Sequence, residues 1–275
     1  QRQMCIRDRY HPDFKYWQGV ECAFYAAFYR VATLGSGAGV AAIYYFNERG
    51  VPYSKGTGLY TIEYMLHKVS IALFAGIFFI LNWGYMQKYY SQYDMTLLIG
   101  FGVTFVIAAV LLLFACSKKF HEVLLWIVRK LNRSGKLTEQ VKKLEEQCAI
   151  LEDAAATLLK RGGLIAGCIL KNLLKFTFWY GIPFLILAET GKLTLSQGLA
   201  VTSLAMMLAA VIPAPAGIGS SEFVLTMLLA KIVGTGAAGS VALLYRFATF
   251  VLPFVIGAVV VVLWRRVHRS TEKAA

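Results

Sequence analysis

The sequence is poor in charged residues, and acidic residues are the scarcest. Only 16% of its 275 residues are charged, with 28 Lys and Arg against 15 Asp and Glu, whereas soluble domains contain about 25% charged residues. The chain is 58% hydrophobic, with a mean hydropathy of +0.59. Because about 20 apolar residues cross a hydrocarbon core, these values exclude an ordinary soluble protein and predict an all-α, polytopic membrane bundle. The net charge of +13 does not predict nucleic-acid binding, since the basic residues cluster in loops beside apolar segments.

Sequence patterns for metal, redox or catalytic chemistry are also missing. The sequence contains no phosphate loop and no dinucleotide fingerprint. Ser220 and Ser221 precede Glu222 without a nucleophile elbow or a histidine partner. Four cysteines are isolated and lack the spacing of a zinc site or a disulfide framework: Cys22, Cys116, Cys148 and Cys168. The sequence therefore predicts no metal, no cofactor and no enzymatic activity.

The order of apolar and charged segments predicts the organisation of the chain. Residues 1–9 contain Met4-Cys5-Ile6-Arg7-Asp8-Arg9, which resembles a translated sequencing adapter, so we expect an artefact here and a natural chain that begins upstream. A transmembrane part over 10–117 precedes a helical connector over 118–162 and a second transmembrane part over 163–275. Lys and Arg are concentrated in the connector and the C-terminal tail, which predicts that both are cytoplasmic in an inner plasma membrane.

Within the connector, one apolar seam recurs at steps of three and four residues, as in an amphipathic helix. The seam consists of Leu137, Val141, Leu144, Cys148, Leu151, Ala155 and Leu158. Two interpretations are open. Residues 137–160 either pair with a cytosolic partner in a coiled coil, or dock against the protein or the membrane surface.

Glycine and proline interrupt two of the apolar segments. Gly35-Ser36-Gly37-Ala38-Gly39 lies in the first, and Pro213-Ala214-Pro215-Ala216-Gly217-Ile218-Gly219 lies near the end of the chain. Unpaired backbone groups cost several kcal/mol in lipid, so each break is expected to face protein or a watery cavity. The helix after the second break points its backbone N–H groups at the break, which favours an anion. Glu222, in the first turn of that helix, is either a helix cap or an acid that handles a ligand.

Identical tripeptides indicate an internal repeat. Gly56-Thr57-Gly58 and Gly234-Thr235-Gly236 define a register of 178 residues. Two further pairs coincide in that register: Gly39 with Gly217, and Lys68 with Arg246. The first tripeptide is predicted on the cytoplasmic side and the second on the outer side. We therefore expect an inverted repeat with two broken or re-entrant segments, which is a pointer to a binding site in transporters.

Basic residues outnumber acidic ones within the predicted spans, where ionisable side chains usually mark a pathway or a partner. The basic residues are Arg30, Lys68, Lys171, Lys175 and Arg246, and the acidic ones are Glu63 and Glu222. This excess predicts an anionic substrate. Lys171 and Lys175 are placed closer to the cytoplasmic edge, where they either snorkel or mark the pathway. His67 is expected to be a neutral packed residue rather than a proton relay, and Tyr245 either orients a head group or packs.

One motif resembles a known family. Pro213-x-Pro215-x-Gly217-Ile218-Gly219-x-x-Glu222, followed by Leu244-Tyr245-Arg246 and Pro253, resembles the flippase-like transmembrane family typified by the membrane domain of lysylphosphatidylglycerol synthase, the multiple peptide resistance factor. The usual pattern is P-x-P-G-G-x-G-x-x-E, and here Ala216 replaces the first of the paired glycines. The resemblance implies movement of aminoacylated, otherwise modified or polyprenyl-phosphate-linked anionic lipids between leaflets. The aminoacyltransferase domain of the fused enzymes is not in this sequence.

Two functions are therefore carried forward. The leading hypothesis is a flippase-like protein whose partners are membrane lipids with anionic head groups. The alternative is a membrane scaffold that presents residues 137–160 to a cytosolic transferase. The candidate substrate-binding residues are Pro213, Pro215, Gly217, Gly219, Glu222, Arg246, Tyr245, Lys68, Gly37, Gly39 and Arg30.

Overall fold

The computed structural model is helical, and it contains no strand in the residues that it describes. These are 15–91, 99–100, 102–103, 105–106, 109–110, 113, 118–131, 138–159, 162–212 and 214–272. The predicted all-α class is confirmed. Residues 1–9 and Pro213 lie outside the described residues, as does most of the span predicted over 96–116.

Helices before and within the connector follow the order of the apolar segments. Those of the first membrane part are α1 (Tyr16–Ala32), α2 (Gly37–Asn47), α3 (Tyr53–Leu81) and α4 (Trp83–Tyr90). Those of the connector are α5 (Lys118–Leu131) and α6 (Thr138–Leu159).

The second membrane part contains α7 (Gly162–Leu187), α8 (Leu195–Ala209), α9 (Ser220–Val233), α10 (Thr235–Arg246) and α11 (Leu252–Glu272). A 3-10 turn over Pro215–Gly217 precedes α9, and a π-helical turn over Phe247–Val251 joins α10 to α11. Pro253 has no N–H to donate and its ring crowds the preceding turn, which accounts for the widened turn at this point.

Three helical segments in the described residues are long and apolar enough to cross a membrane. They are Tyr53–Leu81, Pro215–Val233 and Thr235–Arg266. Helix α7 has 26 residues but is not among them, because Lys171, Asn172 and Lys175 lower its hydropathy. One face of α7 nevertheless exposes Leu170, Leu174 and Phe178 by 67%, 59% and 71%. A row of this kind at helical spacing suits lipid, as an extended apolar patch suits a nonaqueous neighbour.

Helix α8 forms the centre of the second membrane part. It packs against α3, α7 and α9, and its residues Val201, Leu204 and Ala205 are no more than 1% exposed. A helix that is apolar on every side is expected to be surrounded by protein or lipid. Close packing depends on small residues: a Cβ on Gly198 would lie 2.8 Å from the Cβ of Phe184.

The first helix packs against the last. Helix α11 lies along α1, and Gly257 faces the carbonyl of Phe24 and the backbone of Phe28 so closely that a side chain would collide. One turn earlier, the rings of Phe28 and Phe254 stack at 5.3 Å with an interplanar angle of 2°. This contact brings the C-terminal ends of α1 and α10 together, which positions the candidate site.

The connector docks against the membrane helices through part of its seam. Val141 and Cys148 of α6 are buried, and α6 packs against α3. Arg129 of α5 is paired with Glu145 of α6 at 2.6 Å. Of the two interpretations of the connector, the described seam residues favour docking against the protein. Pairing with a cytosolic partner stays a prediction.

The first break lies one turn earlier than the glycine spacing predicted. Helix α1 ends at Ala32 and α2 begins at Gly37, so the prediction that Gly37 and Gly39 belong to the break was wrong. Both are helical because their missing side chains serve packing: a Cβ on Gly37 would lie 2.6 Å from the Thr33 hydroxyl oxygen, and one on Gly39 2.8 Å from the Tyr60 ring.

The order of helix, break, short helix and long helix occurs twice, in α1 to α3 and in α8 to α11. The two matching tripeptides are not equivalent in structure. Gly56-Thr57-Gly58 lies inside α3, whereas Gly234 separates α9 from α10. The opposite orientation of the two units stays a prediction.

Candidate functional site

The first break is held by backbone and hydroxyl hydrogen bonds. Leu34 and Gly35 have positive φ values of 53° and 107°, and the Gly35 N–H donates to the Arg30 carbonyl at 2.7 Å. This bond closes the C-terminal end of α1 in the manner of a left-handed cap. The Thr33 hydroxyl accepts the Gly37 N–H at 2.6 Å and donates to the Tyr29 carbonyl at 2.6 Å. The chain therefore turns between two helices without a charged side chain at the turn.

The second break has a similar backbone. Ala216 and Gly217 have φ values of 54° and 70°, and Gly219 has a φ of 85°. Pro215, as predicted from the motif, begins the turn, and its carbonyl accepts the Ile218 N–H at 3.0 Å. An alanine in the left-handed region costs about 1 kcal/mol. The family pattern has glycine at this position, so Ala216 keeps the glycine-type conformation with a methyl group added.

The two breaks touch each other. A Cβ on Gly35 would lie 3.2 Å from the backbone nitrogen of Ala216 and 3.4 Å from its Cα. Two irregular backbone segments are thus in contact within one membrane protein. Each shields the other from lipid, as unpaired backbone groups require.

An ion pair holds the second break in place. Arg246 Nε donates to Glu222 Oε1 at 2.8 Å, and Nη2 donates to the Gly217 carbonyl at 3.3 Å. Glu222 Oε2 accepts the Gly219 N–H at 3.0 Å and lies 2.8 Å from the Ser221 hydroxyl. Glu222 therefore caps α9, as the first interpretation states, and also binds Arg246. Its role as an acid that handles a ligand stays a prediction. The side chains of Arg246 and Glu222 are only 12% and 25% exposed.

A second guanidinium group lies beside this pair. The Arg30 guanidinium carbon is 5.7 Å from the centroid of the Phe250 ring, and that of Arg246 is 4.1 Å from the same ring. The two positive charges are close enough to repel each other. In the part of the chain that the structure describes, Arg30 has no ion pair and its guanidinium makes no hydrogen bond. The sequence paired Arg246 with Lys68, whereas the structure brings Arg30 to Arg246.

Other predicted site residues lie elsewhere. The ammonium group of Lys68 is 5.3 Å from the centroid of the Tyr64 ring, and no described contact joins it to Arg246. Tyr245 is 3% exposed and belongs to the apolar core around α8 and α9. Packing is therefore the interpretation of Tyr245 that its position favours. Phe250 was missed, since a phenylalanine in an apolar span is unremarkable; its spacing of four residues from Arg246 is the only signal.

A second polar cluster lies between α3 and α7. Lys175 Nζ is 3.2 Å from His67 Nδ1 and donates to Asn172 Oδ1 at 3.2 Å. The Asn172 amide donates to the Ser70 hydroxyl at 3.2 Å. Lys175 lies close to the middle of Gly162–Leu187, and its placement relative to the cytoplasmic edge of the membrane stays a prediction. Asn172 and Ser70 were not predicted, since only the contact between two helices gives them a role.

The arrangement suits recognition of an anion. Two guanidinium groups, a widened turn and the N-terminal end of α9 converge where two breaks meet. A family model described as Lysylphosphatidylglycerol synthase TM region matches residues 11–257. The chain belongs to this family. The matched range includes both breaks, the Glu222–Arg246 pair and the connector. No curated protein and no solved structure matches the chain.

The Lysylphosphatidylglycerol synthase TM region family takes its description from the membrane part of the synthase. Membership confirms the resemblance inferred from the motif between Pro213 and Pro253. It also agrees with the three segments able to cross a membrane in the described residues. The protein is therefore an α-helical membrane protein of this family.

Proposed function

We propose that this protein moves a lipid with an anionic phosphate group between leaflets, and that Arg30 and Arg246 bind the phosphate. The observation that carries the proposal is the meeting of two backbone breaks beside two guanidinium groups at Phe250. Broken helices at a shared site are the arrangement that transporters use for substrates. Arginine suits the task because its planar fork donates two parallel hydrogen bonds to phosphate oxygens.

The charges favour a phosphodiester. Arg246 is neutralised by Glu222 at 2.8 Å, whereas Arg30 has no ion pair among the described residues. The site therefore has one uncompensated positive charge. Arg30 lies in an apolar helix and is exposed at the surface of the described residues. A charge within a membrane span is costly unless it is paired, and a phosphodiester brings one negative charge. Glycerophospholipids with an anionic head group fit this requirement, as do polyprenyl-phosphate-linked lipids.

The natural setting is proposed to be the inner plasma membrane, with the connector and the C-terminal tail in the cytoplasm. The positive residues of these segments support that orientation. The alternative function, a scaffold for a cytosolic transferase, has less support because Val141 and Cys148 of α6 are buried. Deletion of residues 137–160 separates the two functions: a scaffold would lose its partner, while lipid movement would largely remain.

Lipid exchange in reconstituted vesicles tests the main proposal. Fluorescent phosphatidylglycerol in the inner leaflet should become accessible to a membrane-impermeant quencher faster when the protein is present. Arg246→Ala should abolish the acceleration, because it removes one guanidinium group and leaves Glu222 unpaired. Lys192→Gln is the matched control, since it removes an exposed positive charge in the loop after α7. Unchanged exchange by well-folded Arg246→Ala protein would sink the proposal.

A further inference from the structure

The polar cluster between α3 and α7 lies midway along both helices. His67 is close to the middle of Tyr53–Leu81, and Lys175 is close to the middle of Gly162–Leu187. At the helical rise, each is about 20 Å from either end of its helix. Snorkelling to an interface therefore does not explain Lys175. An ionisable pair at this depth is a site of function by default.

Only one N–H can lie between two nitrogen atoms that form a hydrogen bond. The distance from Lys175 Nζ to His67 Nδ1 is 3.2 Å, so a charged Lys175 requires a neutral His67 whose Nδ1 accepts. A proton added at Nδ1 removes this acceptor and adds a second positive charge. The pair therefore has two states that differ in one proton and in the position of the lysine.

Three cations influence His67. Lys175, Lys68 and Arg30 all act on its ring through their charges. Glu63 lies one turn earlier on α3, and Lys171 lies one turn before Lys175 on α7. Helix α6, which packs against both helices, carries charges of both signs, whereas α8 has no charged residue. Three cations oppose a further proton on His67. An anion bound near these cations offsets their charge and therefore favours protonation of His67.

We propose that the Lys175–His67 pair binds a proton when the anionic lipid head group is bound at Arg30 and Arg246. The inference rests on the proposed function and adds its coupling ion. Because coupling between two ligands is reciprocal, the bound proton also strengthens binding of the phosphate at Arg30. One phosphodiester and one proton then cross together. The proton comes from water on one side and is released to water on the other, so no net charge moves.

The equilibrium consequence is a pH-dependent lipid distribution. With one proton per lipid, each pH unit across the vesicle membrane should change the ratio of labelled phosphatidylglycerol between leaflets by about tenfold. The measurement uses vesicles with an imposed pH gradient, and a proton ionophore should remove the effect. If labelled lipid exchanges but its distribution ignores the gradient, the coupling is wrong and the proposed function stands. If no exchange occurs at all, the proposed function fails first.

His67→Asn is the decisive variant. The asparagine oxygen can occupy the position of Nδ1 and accept from Lys175, but it cannot take a proton. Exchange should continue at a lower rate, because the proton no longer strengthens phosphate binding, and the response to the gradient should disappear. A gradient response that survives in His67→Asn would overturn the proposal. Lys171→Met is the matched control, because it removes a cation one turn from Lys175 and should keep the tenfold response.

A binding measurement covers the case in which a variant does not reconstitute. Purified protein in weakly buffered detergent, with a pH dye, is mixed with short-chain phosphatidylglycerol. The protein without a substitution should take up about one proton for each lipid bound, as one-to-one coupling requires. His67→Asn should take up none. Binding of the lipid without proton uptake by the natural chain would also overturn the proposal.

Discussion

The two breaks share a backbone conformation but differ in what holds them. In both, a non-glycine residue with φ near 53° precedes a glycine of positive φ, at Leu34-Gly35 and Ala216-Gly217. The first break is tied by backbone and hydroxyl groups, so the charge of Arg30 is left for another partner. The second is tied by the Glu222–Arg246 pair. One break therefore offers a positive charge, while the other uses its charge to fix the backbone.

Removal of Arg246 should lower the stability of the protein far more than removal of Arg30. Arg246→Ala leaves Glu222 half-buried without its cation and the Gly217 carbonyl without a donor, at a cost of about 3 kcal/mol in unfolding free energy. Arg30→Ala should cost less than about 0.5 kcal/mol, because its guanidinium has no ion pair among the described residues. Denaturation of both variants in the same detergent gives the comparison. Equal destabilisation would mean that the two arginines do not divide their roles in this way.

A side chain at the contact between the breaks should have the next largest effect. Gly35→Ala combines a φ of 107° with a Cβ only 3.2 Å from the Ala216 nitrogen, so we expect a loss of about 2 kcal/mol. Gly191→Ala, at a φ of 61° in the left-handed region and with open space around its Cβ, should cost about 1 kcal/mol. Thermal unfolding of the two variants side by side measures the difference. The reverse order would show that close approach does not matter here.

Arg30 should affect binding rather than stability. Arg30→Gln removes a charge-assisted contact with the phosphate, which corresponds to about a tenfold loss of affinity. Titration with short-chain phosphatidylglycerol measures it, and Arg30→Lys should recover part of the affinity because the charge returns without the fork. Full affinity in Arg30→Gln would remove Arg30 from the site.

The smallest expected effect is at Phe250, which both guanidinium groups approach. Phe250→Leu keeps an apolar side chain and loses the cation–π contacts, so affinity for the same lipid should fall only about threefold, corresponding to about 0.6 kcal/mol. Phe254→Leu, one turn on, is the control, because Phe254 stacks on Phe28 instead. A larger loss in the control would place the important ring at Phe254.

The sequence predicted the second break well and the first break poorly. Proline leaves little freedom, and Pro215 begins the turn as expected. Glycine is ambiguous: Gly35 turns the chain, whereas Gly39 lies in a helix because Tyr60 occupies the space of its side chain. No local pattern separates these two uses. The register of the tripeptides aligned Gly217 with Gly39. In backbone conformation, Gly217 instead matches Gly35, which lies four residues, about one helical turn, earlier.

Contacts between residues far apart in the chain could not be predicted from the sequence. Arg30 meets Arg246 because Gly257 allows α11 to lie close to α1, a contact between opposite ends of the chain. His67 and Lys175 were both noticed as ionisable residues in lipid, but their 3.2 Å contact depends on the packing of α3 against α7. The sequence shows which charged residues lie in apolar segments, and tertiary structure determines which of them meet.

The contact between Gly35 and Ala216 has an evolutionary consequence. A side chain at position 35 would meet the backbone nitrogen and Cα of residue 216, at 3.2 Å and 3.4 Å, before it met the methyl group at 3.9 Å. Every residue type has these two backbone atoms, so glycine at position 216 would not make room. Position 35 is therefore expected to stay glycine across the family, whereas position 216 is expected to vary between glycine and alanine. Two residues in contact thus face different constraints, because one supplies the space and the other supplies backbone.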